Sequence, residues 1–308
     1  MMYDLIIIGG GPAGITAGIY ASRKKLKTLI IAKDFFGQIA KTHRVDNWPG
    51  DLGISEMDLM RKMEKHLKSF SIEIKADQKV VSVKAEGGSL LLAGRTFVIQ
   101  VENGESFEAK AVIIATGRAE KKLGVLGEEE LIGKGVSYCS ICDAPFFTDK
   151  KVAVIGSGNS ALDSAKYAAE VCLFFQGEKV LGDECSQELI KQQTKIKFYP
   201  QTEIKAIGGA KKVESLTYQE IISGEEKQIS VDGVFINIGS VPVAGLVGDL
   251  VARNEKGEIV VDSRNNVTSQ VGIFAVGDVT DSNWKQLILA SADGAKAALA
   301  VYEYLQNK

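Results

Sequence analysis

The chain is poor in the residues that hold metal ions, with four cysteines and two histidines among 308 residues. Cys172 and Cys185 are 13 positions apart, and His43 and His66 lie far upstream, so no second ligand pair has the spacing of a zinc knuckle. Both histidines are expected at the surface, and no metal site is expected. Charge of one sign is also lacking. Lysine and arginine total 37 against 39 acidic residues, a net charge of -2, which leaves no basic footprint for nucleic acid or for an anionic membrane. No apolar run approaches the ~20 residues that span a bilayer. The N-terminus runs straight into a strand-like segment, without the basic region and cleavage site of a signal peptide. A cytoplasmic location follows as the expectation.

What is present suits an ordinary globular protein. With 45% hydrophobic and 25% charged residues the chain can bury a substantial core, and its length favours about two domains. The stretch Tyr138-Cys139-Ser140-Ile141-Cys142-Asp143 pairs two of the four cysteines with an adjoining acid. Cys-x-x-Cys is half of a four-ligand zinc site, but it also closes a reversible disulfide and can lower one thiol's pKa at a helix start. In a reducing compartment a lone pair of this kind is more often catalytic than structural. Cys172, inside Val171-Cys172-Leu173-Phe174-Phe175, reads as a core thiol, and Cys185 carries no signal.

The chain opens with the apolar run Tyr3-Asp4-Leu5-Ile6-Ile7-Ile8, then Gly9-Gly10-Gly11-Pro12-Ala13-Gly14, then a small-residue helix and a second strand at Thr28-Leu29-Ile30-Ile31. Strand, glycine turn and helix make a dinucleotide cradle: Gly9 for the turn, Gly11 for approach to a pyrophosphate, Gly14 for close helix packing. Asp34 falls near the place from which an acid reaches ribose hydroxyls, or is a plain loop charge. The pattern recurs at Lys151-Val152-Ala153-Val154-Ile155, followed by Gly156-Ser157-Gly158-Asn159-Ser160-Ala161 and a helix expected from Leu162 to Glu170. The dithiol precedes this second loop by about 17 residues, the layout of a flavoprotein that moves electrons to a disulfide. One copy would hold FAD and the other a nicotinamide nucleotide, or the second would be a scaffold that binds nothing. Near the end, Gly272-Ile273-Phe274-Ala275-Val276-Gly277-Asp278 is a strand closing in Gly-Asp, with Ala111 to Gly117 as its partner strand.

In order, GGGPAG, VDNWPG, ATG, CSICD, GSGNSA and AVGD resemble the low-molecular-weight thioredoxin reductases over nearly the whole chain. The resemblance implies an α/β fold of two Rossmann-like, three-layer nucleotide-binding domains. FAD would be held by a discontinuous domain of about 1–114 and 243–308, with 115–242 inserted between and carrying the dithiol. Gly9, Gly11, Pro12, Ala13 and Gly14 resemble the pyrophosphate loop, and Gly37, Gln38 and Asn47 the flavin-facing residues. Asp278 is similar to the aspartate on the ribityl chain, and Lys285 and Gln286 match the tail of that motif. By the same resemblance Cys142 faces the flavin, Cys139 attacks the disulfide of thioredoxin, and Asp143 is the general acid. The family also implies a homodimer, and a rotation of the inserted domain about hinges at 116–118 and 239–243.

One departure stands out. Members that use NADPH carry His-Arg-Arg and a further arginine after the second strand of the inserted domain, to grip the 2′-phosphate. Here the run is Phe175-Gln176-Gly177-Glu178, with only Lys179 to compensate. NADPH is therefore not the expected donor; NADH, ferredoxin or another carrier is. Glu178 would accept hydrogen bonds from an unphosphorylated ribose, or is a solvated loop residue.

Two other readings stay open. The reductase component of a peroxide-reducing system resembles this sequence but usually carries an extra N-terminal dithiol module, for which strand one at Tyr3 leaves no room. A non-catalytic nucleotide-binding sensor would not need the intact dithiol. Met57, Met60, Met63 and Leu67 at helical spacing read as a core face, and Trp48 beside Pro49-Gly50 as a turn residue.

Overall fold

The computed structural model describes residues 2–35, 45, 47–87, 95–139, 143–158, 161–162, 168–182 and 184–307. The chain forms two compact units: Met1–Ala119 with Val241–Lys308, and Glu120–Ser240.

The outer unit is built on β1 (Met2–Ile8), whose Leu5, Ile6 and Ile7 are fully buried. A strand buried on both faces reads as a continuous apolar run, not an alternating one, and its neighbours here are parallel. Helix α1 (Pro12–Arg23) follows, with proline in its first turn, where the missing N–H costs nothing. Next come β2 (Thr28–Ile31) and α2 (Glu56–Lys68). The hydroxyl of Ser55 caps α2 by accepting from the Asp58 amide at 3.0 Å. Met60 and Leu67 are buried and Met63 packs beside them, so these three form a core face, while Met57 is only partly buried. Then follow β3 (Glu73–Lys75), β4 (Val80–Glu86), β5 (Thr96–Val101) and β6 (Ser106–Ile114), and the sheet runs β3-β2-β1-β6-β5-β4.

After β6 the chain crosses through β7 (Arg118–Glu120) into the inserted unit. There β8 (Val136–Ser137), β9 (Lys151–Ile155), β10 (Glu170–Phe175), α3 (Glu184–Lys191) and β11 (Ile196–Pro200) precede the antiparallel ribbon of β12 (Thr202–Gly208), β13 (Ser215–Glu220) and β14 (Glu226–Ser230). With β15 (Gly233–Ile236) the second sheet is complete, in the all-parallel order β11-β10-β9-β15-β8. The return crossing is β16 (Ser240–Pro242), which pairs with β7.

Back in the outer unit, β17 (Ile273–Ala275) and α4 (Leu287–Gln306) finish the fold. One edge of β6 is divided between two partners. Its first residues, Ser106 to Ala109, pair antiparallel with β5, and Val112 to Ile114 pair parallel with β17. Helix α4 packs on α1 so closely that a Cβ at Gly294 would lie 2.1 Å from the Ala13 carbonyl oxygen.

The expected helix reaching Glu170 is corrected at its end. Ala161 and Leu162 are helical, residues 163–167 lie outside the described residues, and Glu170 opens β10 in register with Lys151. Its carboxylate sits 3.1 Å from the ammonium of Lys151 and 3.0 Å from that of Lys197, an ion pair across the level starts of three parallel strands. A helical pattern in the sequence cannot anticipate that pairing, because one of the partners comes 27 residues later.

Candidate functional site

In the outer unit the carboxyl ends of β1, β6 and β17 meet, which is where open parallel sheets bind their ligands. The amides of Gly9, Ala115 and Val276 continue the strand ladders onto the carbonyls of Ile31, Ile8 and Ile114. Gly9 has φ +123°, and a Cβ there would lie 2.2 Å from the Ala115 carbonyl oxygen. Gly14 is as tight, with a Cβ 2.0 Å from the Gly9 oxygen, so these two glycines are needed by the protein's own packing. Gly11 differs. Its φ is -79° and nothing stands within 4 Å of a built Cβ. It faces open space at the start of α1, where the first-turn amides have no side-chain cap. Pro12 and Ala13 are buried behind it.

Gly277 brings a second wall, with φ +68° and a would-be Cβ 3.3 Å from the Cβ atoms of both Ala13 and Ala290. The next residue, Asp278, is half-buried, and burial pushes its carboxyl above the ordinary carboxylate range against the opposing charges of Lys285 and Arg118. Among the described residues no group hydrogen-bonds that carboxylate. Asn47 and Gln286, 239 positions apart, come together through a hydrogen bond of 3.0 Å from Asn47 Nδ2 to Gln286 Oε1. Lys285 turns inward, donating to the Thr280 carbonyl at 2.5 Å and lying 3.3 Å from Glu258. Gly37 and Gln38 lie outside the described residues. Asp34 is exposed, and its backbone walls the loop, since a Cβ on Gly10 would meet the Asp34 oxygen at 2.8 Å. A dinucleotide with a sugar chain fits this arrangement. Open space and amides without a side-chain cap stand at the helix start for a pyrophosphate, and a carboxylate with no hydrogen-bond partner among the described residues stands at a sheet end for hydroxyls.

The inserted unit repeats the construction. The Gly156 amide bonds the Phe174 carbonyl, and a Cβ at Gly156 would lie 2.2 Å from the Asn237 oxygen, as at Gly9. Gly158, like Gly11, faces open space, and Ala161 is buried. Asn159 and Ser160 lie outside the described residues. Beyond β10, residues 176–179 are exposed, and Lys179 is the sole cation between Phe175 and Gly182. The segment then folds back, the amides of Leu181 and Gly182 donating to the Ser157 carbonyl at 2.8 and 3.0 Å.

The dithiol loop follows β8. Cys139 is disulfide-bonded and half-buried, and Ser140 to Cys142 lie outside the described residues. The Cys139 amide donates to Ser137 Oγ at 3.0 Å, and the Asp143 amide donates to the Cys139 carbonyl at 3.2 Å. Cys172 is free and fully buried, and burial pushes its thiol up. His66 is exposed. Among the described residues no group of three or more His, Cys, Asp or Glu could hold a metal ion, and no helix is long and apolar enough to cross a membrane.

Sequence reasoning passed over two buried carboxylates. Glu128, 1% exposed, accepts from the amides of Leu123, Gly124 and Val125 and from the phenol of Tyr138. Glu258, 7% exposed, pairs with Arg118 at 2.9 Å and with Lys285. Neither place carries a local signal, since Glu128 stands in the run Gly127-Glu128-Glu129-Glu130 and Glu258 follows Lys256-Gly257.

Comparison with known proteins agrees with this geometry. A family model described as pyridine nucleotide-disulphide oxidoreductase matches residues 3–294. The chain is 36% identical over 307 residues, 98% of its length, to the F component of alkyl hydroperoxide reductase from Staphylococcus aureus (strain NCTC 8325 / PS 47), of which it spans 59%. Thioredoxin reductase of Lactococcus lactis in its FR conformation superposes with a TM-score of 0.85 at 34% identity, covering 99% of this chain and all of that one. T. acidophilum thioredoxin reductase gives 0.81 at 36% identity, covering 98% of each. The chain therefore belongs to the pyridine nucleotide-disulphide oxidoreductase family and has the two-domain Rossmann-like fold of low-molecular-weight thioredoxin reductases.

Proposed function

We propose that the chain is a flavin-dependent thioredoxin-disulfide reductase whose electron donor is not NADPH. The observation that carries the reading is the disulfide-bonded Cys139, whose carbonyl accepts from the amide of the acid Asp143 at 3.2 Å. Bound FAD supplies electrons two at a time, enough to open one Cys139–Cys142 disulfide. Asp143 gives a proton to the sulfur released. The Cys139 thiolate attacks one sulfur of thioredoxin's disulfide, forming a mixed disulfide and expelling the other sulfur. Cys142 then displaces the bound partner sulfur, so the 139–142 bond reforms and the partner leaves as a dithiol with two electrons and two protons gained.

Gly9, Gly11, Pro12, Ala13 and Gly14 hold the FAD pyrophosphate in this reading, Asp278 the ribityl chain, and Gly37, Gln38, Asn47, Lys285 and Gln286 the flavin end. Gly156, Gly158, Asn159, Ser160 and Ala161 form a second site for a nucleotide without a 2′-phosphate, such as NADH, unless ferredoxin or another carrier delivers the electrons directly. The two crossings pair closely, with Thr116 Oγ1 donating to the Val243 carbonyl at 2.6 Å and the Val243 amide to that of Gly117 at 3.0 Å. They serve as the hinge between the FAD domain and the dithiol domain. The working form is a cytoplasmic homodimer.

Anaerobic flavin bleaching with NADPH, NADH and reduced ferredoxin in turn tests the donor. Slow bleaching by NADPH is expected, and rapid bleaching at micromolar NADPH overturns that part. Cys142→Ser should keep FAD and lose turnover with thioredoxin; retained turnover excludes the dithiol relay.

A second reading, the reductase component of a peroxide-reducing system, is favoured by the 36% identity to the staphylococcal alkyl hydroperoxide reductase component. Reduction of a peroxiredoxin in preference to thioredoxin would select it.

A further inference from the structure

Two cationic side chains from distant parts of the outer unit converge on one carboxylate. Arg118, the first residue of the outgoing crossing, reaches Glu258 Oε1 at 2.9 Å, and Lys285, from the loop before α4, reaches the same oxygen at 3.3 Å. Side-chain exposures of 16%, 26% and 10% for Arg118, Lys285 and Glu258 make this a largely desolvated cluster, where charge pairing is weakly screened. Glu258 is itself held from behind. Asn254 Nδ2 donates to Glu258 Oε2 at 2.8 Å, Asn254 Oδ1 accepts from the Glu258 amide at 3.0 Å, and Gly257 at φ +76° lets the intervening turn close. The carboxylate is thus presented by a rigid turn.

Lys285 passes the constraint onward. Its ammonium also donates to the Thr280 carbonyl, and the Thr280 hydroxyl donates to the Gly277 carbonyl at 2.7 Å. Gly277 and Thr280 bracket Asp278, so the turn that carries this carboxylate is tied through Lys285 to Glu258. Asp278 also feels the charges of both Lys285 and Arg118.

Resting on the assignment of the outer unit as the FAD site, we propose that Glu258 is a positioning residue for that site. It holds Lys285 against the Asp278 turn and keeps Arg118 beside it, coupling the flavin pocket to the outgoing crossing. With Glu258 absent, two cations beside Asp278 lose their shared counter-charge and the turn loses its brace.

The test is a double-mutant cycle between Glu258→Gln and Asp278→Asn, read as the FAD dissociation constant of reconstituted apoprotein by flavin fluorescence, together with the flavin midpoint potential of each loaded variant. Glu258→Gln is expected to weaken FAD roughly tenfold and to move the potential in the positive direction, since uncompensated cations favour the more negative reduced flavin. The loss should shrink to less than threefold in the Asp278→Asn background, because the effect travels through that turn. Equal losses in both backgrounds, or an unmoved potential, overturn the proposal in favour of a merely structural ion pair. Should Glu258→Gln fail to fold, Glu258→Asp keeps the charge while shortening the arm. An intermediate loss of FAD then supports positioning, and an unchanged constant overturns it. A wild-type protein that refuses FAD would instead sink the flavoprotein assignment itself.

Discussion

Tyr138 donates its phenolic hydrogen to Glu128 Oε1 across 2.6 Å, and so pins the residue immediately before Cys139 to a carboxylate that also gathers three backbone amides. Burial alone would push Glu128 up, but the bonds from Tyr138, Leu123, Gly124 and Val125 outweigh it and hold the carboxyl below its usual range. Burial first, and then Glu128, pushes the Tyr138 phenol up. Removing the carboxylate strands several buried donors, so Glu128→Ala should cost about 2–4 kcal/mol and Tyr138→Phe about 1–2 kcal/mol in denaturant melts. A loss under ~0.5 kcal/mol for Glu128→Ala would show that the network is not holding the loop.

The same pair makes stability depend on pH at both ends. A depressed carboxylate contributes fully above its unfolded pKa, so the Glu128 share is intact at neutral pH and lost as pH falls below the ordinary glutamate range. A raised phenol contributes fully below its unfolded pKa, so the Tyr138 share is lost as pH rises past that of a free tyrosine. Melting curves recorded across pH should therefore show an alkaline limb that is blunted in Tyr138→Phe. An identical limb in that variant would assign the loss to other tyrosines, of which Tyr3 and Tyr199 are both raised to about 12.

Gly11 and Gly14 should separate ligand clearance from packing. Gly11 has ordinary backbone angles and open space, so Gly11→Val should leave apoprotein stability within about 1 kcal/mol while weakening FAD at least tenfold. Gly14→Ala places a methyl 2.0 Å from a carbonyl oxygen and should destabilise the apoprotein by about 1–3 kcal/mol or more. Equal effects on stability from both variants would mean that the loop is not shaped around a ligand.

Asp278→Asn should act with opposite signs on the two properties. The buried carboxyl is raised, so its charge costs free energy at neutral pH and the neutral amide should leave the apoprotein equally or more stable. FAD should bind about 10–100-fold more weakly, the worth of one or two hydrogen bonds to a charged group. Paired thermal melts and fluorescence titrations decide this, and unchanged FAD affinity would remove Asp278 from the site.

Installing cations at the exposed positions 176 and 178 should create 2′-phosphate recognition where the sequence lacks it. Gln176→Arg with Glu178→Arg is expected to raise the rate of flavin bleaching by NADPH relative to NADH by tenfold or more. No change in that ratio would place the donor's docking elsewhere.

Much of this architecture could be read along the chain, because the informative features are local. β9 lies at Lys151–Ile155 as its apolar run implies, and the glycine loops follow their strands because a tight turn and a close helix leave room only for glycine. The second loop's helix is expected to run to Glu170, but that residue opens β10 in parallel register with Lys151, a pairing that no local pattern announces. The Arg118–Glu258 contact joins residues 140 apart and has no local signature, and although resemblance named Asn47 and Gln286 separately, their hydrogen bond is seen only in the structure. Cys142, Gly37 and Gln38 lie outside the described residues, so their roles stand on the sequence alone.

The divided edge of β6 carries a cost that arises before folding is complete. A ribosome that has just made residue 119 has delivered β1 to β6 but neither β17 nor α4. Until the whole insert has been translated, the backbone of Val112, Ile113 and Ile114 offers an unpaired edge, and the face of α1 that Gly294 will cover stays bare. Nascent chains stalled inside the insert should therefore be sticky and chaperone-dependent, a vulnerability that ends when the closing segment, Val241 to Lys308, emerges and completes the sheet.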